Sequence, residues 1–152
     1  MRILLIEDDI QKGNRLNEFL TSSIENCDLL WVKSVTGAII ALDDNLSPFD
    51  FLVLDMSLPT FEEGHSIFSG GRQQNYGGGE VLAYMAAMSI TCPTIIVTQF
   101  PDFEDRGQLM TLAQLNDNLK RDFPDLYLGM VQYKNNEESW KSLVFDFMNG
   151  NK

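Results

Sequence analysis

Five short apolar runs alternate along this chain with stretches in which apolar residues return every three or four positions. The runs are Ile3–Ile6, Leu29–Val32, Phe51–Leu54, Thr94–Thr98 and Leu126–Tyr133. They are mostly continuous rather than alternating, the pattern of strands covered on both faces. Between them, Leu16, Phe19, Leu20 and Ile24 predict a helix from about Gln11 to Glu25. Ser34 is placed to cap a second helix carrying Val35, Ala38, Ile39 and Leu42 inward. Val81, Leu82, Met85 and Met88 predict a third, beginning at Glu80, and Leu109, Leu112, Leu115 and Leu119 a fourth. Asn136-Glu137-Glu138 opens a fifth, its acids suiting the positive end of the helix dipole, with Trp140, Leu143, Val144 and Phe147 facing inward. Strand and helix in strict alternation predict an α/β fold, a doubly wound five-stranded parallel sheet.

The pattern lapses in one place. From about 60 to 79 the chain is irregular, glycine-rich and holds the only histidine, His65. Its glycines match neither the Walker pattern nor the dinucleotide fingerprint, so flexible linker chemistry is expected there, and His65 reads as an exposed loop residue. At 152 residues and 44% hydrophobic, the chain has room for one domain, residues 1–152, with a proper core. A formal charge of -11 argues against direct nucleic-acid binding or an anionic membrane surface. Two cysteines, Cys27 and Cys92, lack metal-type spacing, and an early acid at Glu7 argues against a signal peptide. With no stretch of transmembrane length, a cytoplasmic protein without membrane insertion is expected.

The polar residues that end the apolar runs change the picture more. Glu7 and Asp8 follow the first run, Asp55 the third, Thr98 closes the fourth and Lys134 follows the fifth. In open parallel sheets, ligands bind outside the carboxyl ends of the strands. Three carboxylates gathered there repel one another and call for a hard divalent cation, Mg2+ or alternatively Mn2+. A carboxylate is also a nucleophile toward phosphorus, and a metal, an ammonium and a hydroxyl then stabilise the developing charge.

Four motifs in register, Ile6-Glu7-Asp8-Asp9, Leu54-Asp55-Met56-Ser57-Leu58-Pro59, Ile96-Val97-Thr98 and Tyr133-Lys134, resemble the receiver domain of bacterial two-component response regulators. The resemblance spans nearly the whole chain. It implies a flavodoxin-like three-layer sandwich with strand order 2-1-3-4-5. It implies that Asp55 accepts a phosphoryl group from a histidine kinase or histidine phosphotransfer protein. Asp8 would bind the metal directly and Glu7 through water, with Asp55 and the backbone carbonyl of Ser57 completing the ligands. Thr98 would turn toward the phosphoryl group and Lys134 would pair with it. The output would be a changed face of the fourth helix, fifth strand and fifth helix, offered to a downstream protein or to a second copy in a homodimer.

The chain departs from the family pattern at Gln99, where a small residue is usual, at Val131, where an aromatic is usual, and at Asn135, where a proline is usual. It is also longer than usual after Pro59 and between Thr98 and Lys134. The first excess is expected to form a lid or partner surface, the second to lengthen the fourth-helix region at about 100–124. Two other functions compete with a stand-alone phosphorelay module that is no enzyme beyond its own phosphorylation and dephosphorylation. One is a receiver-like interaction domain that has given up phosphotransfer. The other is an aspartate-nucleophile phosphohydrolase, disfavoured because Ser57 stands where that chemistry needs a second aspartate.

Overall fold

The computed structural model describes residues 1–44, 47–61, 73–74, 76–99, 102–105 and 108–150. Its centre is a parallel sheet of β1 (Arg2–Ile6), β2 (Asp28–Val32), β3 (Phe51–Leu54), β4 (Thr94–Thr98) and β5 (Tyr127–Gln132). The spatial order is β2-β1-β3-β4-β5, the expected doubly wound arrangement. The helices are α1 (Ile10–Ser23), α2 (Val35–Asp43), α3 (Gly77–Ala87), α4 (Leu112–Asp122) and α5 (Ser139–Met148).

Strand alternation sorts the apolar runs into two cores. Leu4, Ile6, Leu52, Leu54 and Ile96 face α2, α3 and α4. Ile3, Leu5, Val53, Ile95, Val97 and Tyr133 face α1 and α5 through Leu16, Leu20, Trp140 and Val144. Ser34 does cap α2, its hydroxyl accepting from the Gly37 amide at 2.9 Å.

The register levels the strand ends. Ile6 lies opposite both Val32 and Leu54, and Leu54 opposite Ile96. Glu7 and Asp55, each one residue further on, therefore emerge side by side above adjacent strands.

Two expectations are corrected. The extra length before α4 is an antiparallel hairpin, Asp102–Asp105 with Gln108–Thr111, rather than a longer helix. Thr111 and Gln114 form a reciprocal capping box that starts α4 at Leu112. Leu109 consequently lies outside the helix and is 82% exposed instead of packed. The second correction concerns the glycine run, whose last three members are the first turn of α3. A Cβ on Gly78 would stand 2.5 Å from the Asp55 carbonyl oxygen, and the Gly78 amide donates to the Met56 carbonyl at 3.0 Å. These glycines serve close packing against the Asp55 loop. Ahead of them, Leu58–Pro59 pairs antiparallel with Gln73–Gln74. His65 and most of the stretch expected to form a lid lie outside the described residues.

Candidate functional site

Asp55 leaves β3 with its amide donating to the Ile6 carbonyl at 2.9 Å, and its side chain is almost wholly buried. The Glu7, Asp8 and Asp55 carboxylates each bring an oxygen within 4.8 Å of the others. Asp9 takes no part in that cluster; it caps α1, accepting from the Lys12 amide at 2.9 Å. Its own amide donates to Glu7 Oε1 at 2.9 Å, which turns the other Glu7 oxygen inward.

What meets that inward oxygen is a lysine the motifs did not single out. Lys12, on the first turn of α1, is 1% exposed. Its Nζ donates to Asp55 Oδ1 at 3.0 Å and to the Val97 carbonyl at 2.6 Å. It also forms an ion pair with Glu7 Oε2 at 2.6 Å. The Tyr133 ring lies below the ammonium, 5.8 Å from its centroid.

Among the described residues, Lys134 has no ion pair or hydrogen bond with Glu7, Asp8 or Asp55. It is half exposed and pairs with Glu137 at 3.4 Å. It lies past the end of β5, and Tyr133 is the residue that turns into the core there. Arg15 holds the turn, donating to the Tyr133 hydroxyl at 3.0 Å and to the Asn135 carbonyl at 2.7 Å. Thr98 closes β4, fully buried, and its hydroxyl has no hydrogen-bond partner among the described residues. Ser57 is buried two residues after Asp55. Gln99 is partly buried beside Thr98, and Val131 is buried in the α1–α5 core.

A sequence signal for Lys12 existed. It precedes Leu16 and Leu20 by four and eight positions, on the buried stripe of α1, where a lysine requires partners.

Burial first, and then the neighbouring Asp55 carboxylate, push Glu7 up to about 8, with Lys12 pulling the other way. Asp8 is raised by burial and by Asp55. Burial raises Asp55 against the opposing pull of Lys12 and of the Met56 and Ser57 amides. Burial lowers Lys12, but Asp55 and Glu7 outweigh it and keep the ammonium charged. Three carboxylates against one ammonium leave the ionised cluster short of two positive charges. An all-oxygen donor set with that deficit fits a hard divalent ion.

No family model matches the chain. It is 31% identical over 142 residues, 93% of this chain and 94% of the relative, to a Detocs response regulatory protein, DtcB, of Enterobacter cloacae. It is 26% identical over 152 residues to a protein of the same description from Vibrio alginolyticus, covering 96% of this chain and 98% of that one. Among solved structures, the signal receiver domain of a LuxO repressor protein from Vibrio parahaemolyticus matches at TM-score 0.63 and 19% identity, over 99% of this chain and 91% of that one. The Mn2+-bound form of response regulator Rcp1 matches at TM-score 0.60 and 18% identity, over 94% and 88%.

Proposed function

The chain belongs to the response regulator receiver family, and from that premise we propose that it is a receiver phosphorylated on Asp55 in a magnesium-dependent reaction. The observation that carries this is the convergence on Asp55 of two further carboxylates and a buried ammonium, with a buried threonine hydroxyl that has no hydrogen-bond partner among the described residues at the end of the adjacent β4. A carboxylate oxygen of Asp55 bonds to phosphorus as the donor's bond to phosphorus breaks. With acetyl phosphate, acetate leaves with the bonding pair; with a kinase, the phosphohistidine nitrogen does. Water attacking the same phosphorus later releases inorganic phosphate and restores the carboxylate.

Asp8 and Asp55, with the Ser57 carbonyl, would hold the divalent ion, and Glu7 would act through water. When bound, that ion supplies charge neutralisation to the oxygens in transfer. Thr98 Oγ1 is free to donate to a phosphoryl oxygen. The Mn2+ in the Rcp1 neighbour supports a metal of this class. The partners would be a histidine kinase or phosphotransfer protein on one side and a downstream protein on the other. A groove of about 580 Å3 between α4, β5 and α5, lined in part by Leu112, Asn116, Met130, Leu143 and Phe147, supports docking at that face.

Incubation with Mg2+ and acetyl phosphate tests the reading by intact mass. Addition of one phosphoryl group, absent in Asp55→Asn, is expected; an unmodified wild-type protein sinks it. The second reading, binding without phosphotransfer, is favoured by the outward Lys134. It requires partner binding that ignores Asp55→Asn.

A further inference from the structure

We infer that Lys12, and not Lys134, supplies the ammonium that balances the phosphoryl group on Asp55, so that the charge partner of this site comes from α1. The inference rests on the proposed phosphorylation of Asp55 and names a residue that the family resemblance does not.

The geometry separates the two lysines completely. Lys134 lies half exposed on a surface turn and spends its charge on Glu137. Lys12 is buried and directs its ammonium to oxygens from three strand ends: Glu7 after β1, Asp55 after β3 and the Val97 carbonyl within β4. Its backbone is fixed by the Asp9 cap, and the Tyr133 ring covers one side of the charge. The ammonium therefore touches the oxygen-bearing group that would receive phosphorus, without any movement of the β5–α5 turn. When Asp55 gains a phosphoryl group, the negative charge beside Nζ increases, and an ammonium already desolvated there interacts more strongly than a solvated one.

A lysine that only fastens three strands together has the same contacts, so the test must separate charge from scaffolding. A cation at this position attracts a phosphoryl mimic and repels a metal ion, whereas a scaffold favours both. Two measurements are made in alkaline buffer, where the carboxylates are ionised. Mn2+ affinity is read from the electron paramagnetic resonance of the free ion. Beryllofluoride binding at saturating Mg2+ is read by fluorine NMR.

In Lys12→Met, Mn2+ binding is expected to tighten by about tenfold while beryllofluoride binding weakens by at least about tenfold. Lys134→Met should leave both within about twofold. Lys12→Arg, which keeps the charge, should recover part of the beryllofluoride binding. Loss of both affinities together in a folded Lys12→Met protein overturns the inference, as does loss of beryllofluoride binding in Lys134→Met. If Lys12→Met fails to fold, the Lys134→Met result still decides: retained binding supports the inference and lost binding refutes it. A wild-type protein that binds Mn2+ but never beryllofluoride overturns the phosphorylation reading and this inference with it, whereas a failure confined to the variants overturns the inference alone.

Discussion

The two sides of the crevice behave differently. On the β1–β3 side, Glu7, Asp8 and Asp55 stand together at the strand ends, as their motifs place them. On the β4–β5 side, Thr98 is buried at the end of β4, the lysine after β5 is half exposed and pairs with Glu137, and the ammonium bonded to Asp55 comes from α1. A residue one step beyond a strand inherits its place from the sheet register, as Glu7 does from Ile6 opposite Leu54. Distance from the strand does not separate the two sides, since Asp8 and Lys134 each lie two residues past their strands; what differs is the turn after β5, which Arg15 holds through the Tyr133 hydroxyl and the Asn135 carbonyl.

The sharpest break of that comparison is to neutralise each lysine in turn. Lys12→Met leaves two buried carboxylates without their partner and should destabilise the metal-free protein by about 3–5 kcal/mol, read by urea unfolding. Lys134→Met should change stability by less than about 0.5 kcal/mol, because its pair is half exposed. Equal effects would erase the distinction between the two sides.

Gly78→Ala probes the floor of the acidic side. Its Cβ would meet the Asp55 carbonyl at 2.5 Å, so the loop must shift. A cost of about 2–3 kcal/mol and weaker Mn2+ binding are expected. Unchanged stability with unchanged metal affinity would show that the glycine run does not set the Asp55 loop.

The pH dependence sharpens the same side. Glu7 is held above its ordinary 4.5, toward 8, so the folded protein keeps a proton that the unfolded chain releases in between. Its contribution is full below the ordinary value and is lost as pH rises through the folded one. Thermal stability without divalent ions should fall across that window by up to about 5 kcal/mol, and Glu7→Gln should flatten the slope. A slope unchanged in Glu7→Gln would remove Glu7 as its source. The smallest effect is expected at Leu109, where replacement by Ser should stay within about 0.5 kcal/mol because the side chain is exposed. A larger loss in chemical denaturation would return Leu109 to the core.

Much of this was legible from one dimension. The five apolar runs became the five sheet strands, and for β1, β3 and β4 the reason is that a strand buried on both faces has no alternative to a continuous apolar run, whereas β2 at the sheet edge is only partly covered. The helix stripes were equally clear for Leu16 and Leu20, and for Val81, Leu82 and Met85. Leu109 misled because, three positions before Leu112, it continues the helical spacing although the capping box at Thr111 ends the helix short of it. Leu143 and Met88 carry helical spacing as well, yet both are about half exposed, since the outer edge of each stripe depends on how far the next element reaches.

The amino-acid sequence by itself determined the sheet, its order of elements and the gathering of Glu7, Asp8, Asp55 and Thr98 at one end. Local periodicity and strand register are enough for that. Only the tertiary structure decided which ammonium faces Asp55, because Lys12 and Asp55 are 43 residues apart and meet through the packing of α1 across β1, β3 and β4. It likewise decided that Gly77 and Gly78 lie against the Leu58 and Asp55 backbones, a contact between distant segments that composition alone reads as slack chain.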